Sequence, residues 1–339
     1  MTDEITKRMR DEVRRMLEEG EIEAFLGFCS GSLPMTTRPF VARTPADTDR
    51  LIWNSFCVMN PARYLPELLC SLESSRDSRE QSSDTLPKVG VVATGCWSRN
   101  IIVQIQENQV VRDRLFILGI KGGGMIDRRK VYQQAGEDIV SVEETGSRLI
   151  VKCRDHEKEL SKDDVMRDNC QSCVHFEPVI YDILLESQEG HNRQDSNRFK
   201  QIEDIEKLDL DARWAWFTEE ISQCIRCYAC RNACPLCYCP TCFVDDSKPQ
   251  WVGKSIDPVD TQLFHLLRAF HMAGRCTDCG ACESACPMGI RMRLLTKKLE
   301  KDCIELFNVE PGLSLEEPLA LTTYKADDPQ DFFITEETK

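Results

Sequence analysis

The chain of 339 residues is long enough for two or three compact domains, and its 41% of hydrophobic residues can supply their cores. A net charge of −14 makes nucleic acid and anionic lipid poor partners. The chain has 19 cysteines, and its first residues contain no apolar signal core, so we expect a reducing, cytoplasmic environment. No stretch approaches the length of apolar sequence that spans a bilayer, so we expect no direct membrane insertion.

The first third of the chain predicts a mixture of helices and strands. Residues 3–20 should form an amphipathic helix, because apolar residues recur there at helical spacing (Ile5, Met9, Val13 and Met16). Short strands are predicted between Ile22 and Pro39, and two helical pieces over residues 45–70 with a break at Asn60. The polar stretch Ser71–Asp84 predicts a mobile surface loop.

A βαβ unit is predicted next in the chain. Lys88–Thr94 and Leu115–Ile120 are short apolar runs typical of buried strands, and Ser98–Arg114 has helical apolar spacing. Ligands of parallel sheets bind at the carboxyl ends of strands, so the loops at these ends are candidates for approaching a flavin pyrophosphate or the edge of a cluster, with a tight turn as the alternative. The candidate contacts are Gly95, Ser98, Arg99, Gly122, Gly123 and Gly124.

Further cysteines in this region lack a complete ligand set. A hairpin with Gly146 in its turn is followed by Cys170 and Cys173, a lone C-x2-C pair. Two thiols complete neither a zinc site nor a cluster, so a distant ligand is required, unless the pair is merely structural. Cys96, at a strand end, is the leading candidate for that ligand, with Cys57 or Cys153 as supplements.

A polar stretch at residues 186–200 predicts a boundary between domains. The following segment, Ile202–Thr218, should be one helix that carries four apolar residues into the interface with the next domain. They are Leu208, Leu210, Trp214 and Trp216.

The pattern C-x2-C-x2-C-x3-C-P then occurs twice, at Cys224–Pro235 and at Cys276–Pro287. Three cysteines at this spacing wrap one 4Fe-4S cube, and in two-cluster ferredoxins the fourth cysteine crosses to the other cube. The pattern predicts one cluster on Cys224, Cys227, Cys230 and Cys286, and a second on Cys276, Cys279, Cys282 and Cys234. Zinc is the alternative metal, but zinc sites favour two separated pairs.

The 41 residues between the two runs begin with a dense C-x-C-x2-C, formed by Cys237, Cys239 and Cys242. These thiols could form a third iron-sulfur site or lie as spare thiols beside the first cluster. A helix is expected from Asp257 to Gly274, with Leu263, Leu266, Leu267 and Phe270 on its apolar face. His265 and His271 are expected at its surface or as capping residues.

The last predicted helix is Ile290–Phe307, and an acidic tail follows from Asn308. These elements predict an α/β N-terminal domain at residues 1–185 and a linker with a connecting helix at 186–220. A mainly α, ferredoxin-like dicluster domain at 221–307 and a tail at 308–339 complete the chain.

The segments VVATGCWSRN, FILGIKGGG and CQSC followed by YDILLE resemble the beta-subunit family of deazaflavin-dependent hydrogenases and formate dehydrogenases. The second half is similar to the cluster modules of sulfhydrogenase beta and anaerobic sulfite-reductase subunits, in CP-x-C-Y-C and RAFHMAGRCTDCGACESACP. Some family members carry FAD, and members often have cysteine where this chain has Gly122 or a neighbour after the second strand. The resemblance implies an electron-transfer subunit that works with other subunits of a hydrogenase, formate dehydrogenase or heterodisulfide-reductase complex.

The sequence therefore favours an electron relay through two 4Fe-4S clusters, which needs no general acid, base or nucleophile. The alternative is a flavoenzyme subunit that exchanges hydride with a deazaflavin, nicotinamide or another soluble carrier and is fed by the clusters. No G-x-G-x-x-G fingerprint follows a strand to support dinucleotide binding.

Overall fold

The computed structural model describes residues 2–75, 86–186 and 197–322. The helices are α1 (Thr2–Glu18), α2 (Leu65–Ser75), α3 (Gly95–Gln106), α4 (Arg128–Ala135), α5 (Lys162–Val165), α6 (Asp168–Gln171), α7 (Lys200–Glu206), α8 (Leu210–Ile221), α9 (Ala229–Asn232), α10 (Pro258–His271), α11 (Ala281–Ala285) and α12 (Arg293–Phe307). The strands are β1 (Ala24–Ser30), β2 (Thr37–Ala42), β3 (Val89–Ala93), β4 (Leu115–Lys121), β5 (Ile139–Thr145), β6 (Arg148–Cys153), β7 (Glu157–Ser161) and β8 (Ile183–Glu186).

Five strands form a mixed sheet in the order β2-β1-β3-β4-β8. β1, β3, β4 and β8 are parallel to one another, and the edge strand β2 runs antiparallel to β1. Every residue of β3 is buried, as expected for a parallel strand covered on both faces. The predicted βαβ unit is confirmed as β3-α3-β4, and its helix begins directly at the strand end, at Gly95.

The stretch of chain between β4 and β8 forms a separate antiparallel sheet, in the order β5-β6-β7. The predicted hairpin is confirmed as β5-β6, and Gly146 in its turn has φ +56°. Val131 of α4 packs with Leu149 and Val151 of β6 in a small core beneath this sheet.

The first helix is confirmed as α1, and its four predicted apolar residues are all buried. Residues 45–75 differ from expectation. They form two short 3-10 helices, Pro45–Arg50 and Pro61–Tyr64, and then α2. The predicted loop Ser71–Asp84 was wrong at its start, because α2 continues to Ser75 and buries Leu72. The rest of that loop, like most of the predicted boundary at 186–200, lies outside the described residues.

The predicted helix Ile202–Thr218 is two helices, α7 and α8, and its apolar face was assigned correctly only at Trp216, which packs against a hydrophobic core. Leu210 is 80% exposed and Trp214 is 54% exposed. Phe217 and Ile221 on α8 are the buried residues instead.

α10 was predicted correctly in extent but only partly in orientation, because Leu266 and Leu267 pack against a hydrophobic core as expected whereas Leu263 is exposed. Asp257 caps its start by accepting from the N–H groups of Val259 and Asp260. The buried face carries Thr261, Phe264, His265, Arg268 and Ala269. Phe270, expected inside, is exposed, and His265, expected at the surface, is buried.

The first half of the chain, up to residue 186, and the second half, from residue 197 onward, share an extensive polar junction. Gln104 of α3 donates to the carbonyl of Pro235 at 2.8 Å, and Thr277 donates to the carbonyl of Cys96 at 3.1 Å. Residues 308–322 lie against the first half, where Arg99 donates to the carbonyl of Pro311 at 2.8 Å. The remainder of the predicted tail falls outside the described ranges. In the part of the chain that is described, no helix is long and apolar enough to cross a membrane.

Candidate metal centres

The two cysteine runs adopt the same unusual backbone conformation. In the first run Arg226 and Tyr228 have φ +51° and +59°, and at the equivalent positions of the second run Asp278 and Gly280 have φ +55° and +67°. Left-handed residues alternating with right-handed ones turn successive N–H groups to one side, which forms a concave anion site of the type that holds iron-sulfur clusters. Both loops therefore fit the same kind of group.

Gly280 in the second loop leaves room for two side chains that approach it closely. A Cβ atom at Gly280 would lie 2.6 Å from both Arg167 Nη2 and Asn169 Oδ1, two side chains of the first half. Asn169 also donates to the carbonyl of Asp278 at 3.1 Å. The loop that carries the second cysteine run is thus docked against the first half of the chain.

The predicted first cysteine set surrounds one cavity. Its wall includes Cys224, Cys227, Cys230 and Cys286. Cys286 comes from the second run and lines this cavity together with three cysteines of the first run. No three His, Cys, Asp or Glu side chains within the described ranges are arranged to hold a single metal ion, and these thiols spread around a cavity instead.

The second set is also brought together. Cys234, from the first run, lies close enough to Cys279 and Cys282 for its charge to act on both thiols, and Cys276 acts on the same two. Burial raises the pKa of Cys276 to about 11 and that of Cys279 to about 12. Because metals bind thiolates, loading this set must release protons.

Arg268 lies between the two sets. Its side chain is almost fully buried, and Nη2 donates to the carbonyl of Cys230 at 3.1 Å. Its charge acts on Cys282 and Cys234 of the second set as well as on Cys230. Nε has no hydrogen-bond partner, and within the described residues no carboxylate pairs with this guanidinium. A buried cation needs a compensating negative charge, which a pair of thiolate-ligated clusters would supply.

His265, on the same face of α10, lines the first cavity with Arg226. Its Nε2 and two nitrogens of Arg226 are buried without hydrogen-bond partners. Burial, followed by the charges of Arg268 and Arg226, lowers the pKa of His265 to about 4. The ring is therefore neutral near pH 7 and keeps one N–H to donate. Unpaired donors facing the cavity fit a sulfur-rich, negatively charged occupant.

The extra cysteines between the runs are divided between two environments. Cys237 lies beside Cys234, and hydrogen bonding with that thiol lowers the pKa of Cys237. Cys242 packs into the core around the first set and contacts Arg231. The charge of Cys242 still acts on Cys237, so the structure brings two of these three thiols near each other, and Cys239 is the exposed one.

A third group of thiols forms in the first half of the chain. Cys96, at the start of α3, lines one cavity with Cys170 and Cys173. The charges of Cys96 and Cys170 both act on Cys173, and burial, the largest effect, raises the pKa of Cys173 to about 12. Cys279 of the second set lines the same cavity. By contrast, Cys57 is buried in the main core and Cys153 packs in the small core below β5-β6-β7.

The predicted flavin loops are only partly available. Ser98 Oγ donates to the carbonyl of Gly95 at 2.8 Å and accepts from the N–H of Val179 at 2.9 Å. Arg99 is bound to Pro311 and Glu310. Gly95 packs against the carbonyl of His175. Of the predicted contacts, Gly95, Gly122 and Gly124 line the third thiol cavity, whereas the side chains of Ser98 and Arg99 are engaged within the protein.

A cleft of about 520 Å³ lies at the junction of the two halves. Although the chain is strongly acidic overall, this cleft is lined by six basic side chains and three acidic ones. The basic residues are Arg63, Arg128, Arg129, Lys130, Arg167 and Arg291, and the acidic residues are Asp127, Asp168 and Glu283. Sequence reasoning missed this cleft, because its walls come from distant segments.

Four residues of the cleft wall are direct chain neighbours of cysteines in all three groups. Asn169 precedes Cys170, Ala233 precedes Cys234, Ala281 precedes Cys282 and Ala285 precedes Cys286. Neighbouring Cα atoms are about 3.8 Å apart. A molecule bound in the cleft would therefore lie close to every candidate metal centre.

Comparison with known proteins gives matches to both halves. Residues 220–290 match the family model of the 4Fe-4S dicluster domain. The F420-dependent formate dehydrogenase subunit beta of Methanocaldococcus jannaschii is 23% identical over 282 residues, covering 67% of this chain and 74% of the relative. The F420-dependent formate dehydrogenase 1 subunit beta of Methanococcus maripaludis is 24% identical over 294 residues, covering 69% and 75%.

Among solved structures, a chain of the F420-reducing NiFe hydrogenase complex from Methanosarcina barkeri matches 52% of this chain and 64% of its own length. Its sequence identity is 17% and its TM-score is 0.36, which is too low to establish a shared fold. The family model and the two curated relatives confirm the resemblance to the beta-subunit family and the presence of a 4Fe-4S dicluster domain.

Proposed function

We propose that the chain is an iron-sulfur electron-transfer subunit of a cytoplasmic oxidoreductase complex of the hydrogenase, formate dehydrogenase or heterodisulfide-reductase type. It relays single electrons through two 4Fe-4S clusters held in a ferredoxin-like domain at residues 221–307. Cys224, Cys227, Cys230 and Cys286 hold the first cluster, and Cys276, Cys279, Cys282 and Cys234 hold the second.

The observation that carries this proposal is the exchange of cysteines between the runs. Cys286 lines the cavity formed by the cysteines of the first run, and Cys234 lies among the thiols of the second run. This exchange is the arrangement of two-cluster ferredoxins. It ties the two sites together rigidly, as short-range electron transfer between them requires.

We assign a third iron-sulfur site to Cys96, Cys170 and Cys173. The assignment is supported by their shared cavity and by Cys279, which belongs to the second set and lines the same cavity. Electrons would pass between the third and second sites across this shared wall. The first site, whose ligand Cys227 is exposed, would exchange electrons with a partner subunit.

The protein's own contribution is to set the charge and hydrogen bonding around each cluster, and the clusters supply the one-electron chemistry. Arg268 places a buried positive charge beside ligands of both dicluster sites. The left-handed residues of each loop would direct backbone N–H groups toward a cluster held there. Both effects favour the reduced, more negative state and so raise the potential.

Anaerobic isolation of the native complex tests this function. Formate or hydrogen added to the complex should bleach the visible absorption of the clusters and produce the EPR signals of reduced iron-sulfur centres. A complex that contains the chain but whose clusters respond to neither donor, nor to a heterodisulfide as oxidant, would contradict the assignment.

The second candidate function is reduction or oxidation of a soluble carrier, such as a deazaflavin, a nicotinamide or an FAD-linked acceptor. The basic cleft favours it, since these carriers bear phosphate or carboxylate groups and the cleft walls adjoin all three thiol groups. Arg128, exposed at the start of α4, is suited to contact such anions, whereas its neighbour Arg129 donates to the carbonyl of Cys286.

Binding titrations distinguish this candidate. A carrier held in the cleft should bind at least tenfold more weakly to the Arg128→Glu variant. The matched control is Arg148→Glu, because Arg148 lies on the exposed side of β6, away from the cleft. Equal affinity in both variants, or no binding of FAD, deazaflavin or nicotinamide to the wild type, would contradict a carrier site in the cleft.

A further inference from the structure

The third site offers only three thiols for four irons. Its wall carries Gly122 and Gly124 rather than a fourth unassigned cysteine, and Cys279 belongs to the second set. Two further side chains on this wall carry metal-binding atoms, the thioether of Met125 and the imidazole of His175. The imidazole is the stronger ligand of the two, and it lies two residues after Cys173. A role for His175 as a ligand rests on the proposal that this site holds a cluster.

The ring of His175 is fixed through one nitrogen. Nε2 lies 2.6 Å from Oε1 of Glu310, a residue 135 positions later in the chain. Arg198 Nη2 donates to the other oxygen of Glu310 at 2.9 Å, and Arg99 adds a second cation at 3.2 Å. Two guanidinium groups on one partly buried carboxyl group keep it ionised.

An ionised carboxylate only accepts hydrogen bonds, so Nε2 of His175 must carry the proton in this contact. Arg198 Nη1 is also near Nε2, but at 3.4 Å it is much farther than the carboxylate. The contact with Glu310 occupies Nε2, which leaves Nδ1 as the ring nitrogen free to bind a metal. No hydrogen bond to Nδ1 occurs within the described part of the chain. This is the tautomer of a metal-ligating histidine whose other nitrogen donates to a carboxylate.

We infer that Nδ1 of His175 is the fourth ligand of the third cluster, so that this centre is held by Cys96, Cys170, Cys173 and His175. Glu310 is a positioning residue that fixes the ring and its tautomer. A neutral imidazole in place of a thiolate makes the centre less negative, which raises its potential relative to an all-cysteine cluster. The third site would then accept electrons from the second.

The cavity wall has a position at which an added cysteine could replace His175 as the fourth ligand. Gly122 lines the cavity, a Cβ atom built on it meets nothing within 4 Å, and its φ is not in the left-handed region. A cysteine at this position therefore fits without strain. Gly124 is unsuitable, because its φ is +93° and a Cβ atom would lie 2.9 Å from the sulfur of Met166.

Pulsed EPR on reduced protein labelled with ¹⁵N in its histidine rings tests the inference. The chain has five histidines, and the wild type should show a directly coordinated ¹⁵N nucleus. His175→Cys should lose this coupling while keeping about twelve irons, since each cube holds about four. His271→Gln, which changes an exposed histidine, should leave the coupling unchanged.

Two further variants guard against a folding defect. His175→Ala should lose about four irons, and adding Gly122→Cys should restore them without the nitrogen coupling. Glu310→Gln should weaken the coupling, because the ring is no longer held by a charged acceptor. A purely structural histidine would give the same iron content and the same spectra in all of these variants.

The outcomes separate the two proposals. A wild type with about twelve irons and no coordinated histidine nitrogen, or a coupling that survives in His175→Cys, overturns the ligand assignment while leaving the third cluster in place. A wild type with only about eight irons, and iron content unchanged in Cys170→Ser, overturns the third cluster itself.

Discussion

Replacing Arg268 should lower the potentials of both dicluster centres together. The side chain is 5% exposed, and its charge acts on cysteines assigned to each cluster. Arg268→Met removes the charge and keeps much of the side-chain length. Arg268→Lys keeps the charge and loses only the guanidinium geometry.

The size of the effect follows from Coulomb's law. A unit charge about 8 Å from a redox centre, at an effective dielectric constant of about 20, interacts with it by about 2 kcal/mol. A tenfold change in equilibrium, about 1.4 kcal/mol, corresponds to about 59 mV for a one-electron couple. Both potentials should therefore fall by about 90 mV in Arg268→Met.

Anaerobic redox titration followed by EPR measures the two potentials. Arg291→Met is the matched control, because Arg291 is a half-exposed residue paired with Glu220, where solvent screening should limit the change to about 20 mV or less. The same Arg268→Met change should stabilise the cluster-free protein, because it removes a buried cation that has no anionic partner. Potentials within about 20 mV of the wild type in Arg268→Met would show that this charge does not act on the clusters.

The remaining predictions concern the ligands, the domain junction and proton release. Cys234→Ser should remove about four irons and the EPR signal of the second cluster while the first persists, and Cys286→Ser should do the reverse; loss of the same cluster in both variants would rule out exchanged cysteines. Gly280→Ala should lower the free energy of unfolding by about 3 kcal/mol in urea titrations, because it adds a clash with Arg167 and Asn169 to the strain of a positive φ. Gly146→Ala is the control with backbone strain alone, since its Cβ atom would meet nothing within 4 Å. It should lower the free energy of unfolding by about 1 kcal/mol. Equal losses of unfolding free energy in the two variants would contradict the docking of the second loop. The raised pKa values of Cys276 and Cys279 mean that thiolate becomes more abundant as pH rises, so anaerobic cluster reconstitution should be faster at about pH 9 than at about pH 7. Reconstitution in weakly buffered solution should also acidify the medium, and a rate independent of pH would count against buried, protonated thiols.

The cysteine spacing predicted more of the centre than any other feature of the sequence. The crossing of Cys234 and Cys286 could be anticipated because a loop with three inward thiols leaves one position of a cube open. The βαβ unit could be predicted equally well, since β3 and β4 are apolar on both faces.

The orientation of helices was predicted less well, for an identifiable reason. The buried face of α10 recurs at Thr261, Phe264, His265 and Arg268, but large apolar residues on another face suggested a different register. Polar residues occupy the inner face because it borders the metal sites, so hydrophobic spacing misleads there. Trp214, exposed on α8, was misassigned for the same kind of reason, because apolar character alone does not determine burial.

Contacts between distant segments were beyond sequence reasoning. The pairing of His175 with Glu310 joins residues 135 positions apart, and the basic cleft draws its walls from both halves of the chain. Neither leaves a local pattern. The nearest signal was the placement of His175 two residues after a C-x2-C pair.

Iron, acid-labile sulfide and zinc content per chain, measured on protein purified without oxygen, decides whether the chain is an iron-sulfur protein. We expect at least about eight irons with an equal amount of sulfide, about twelve if the third site is filled, and only traces of zinc. A colourless protein that contains zinc and no sulfide would contradict the assignment of both dicluster sites.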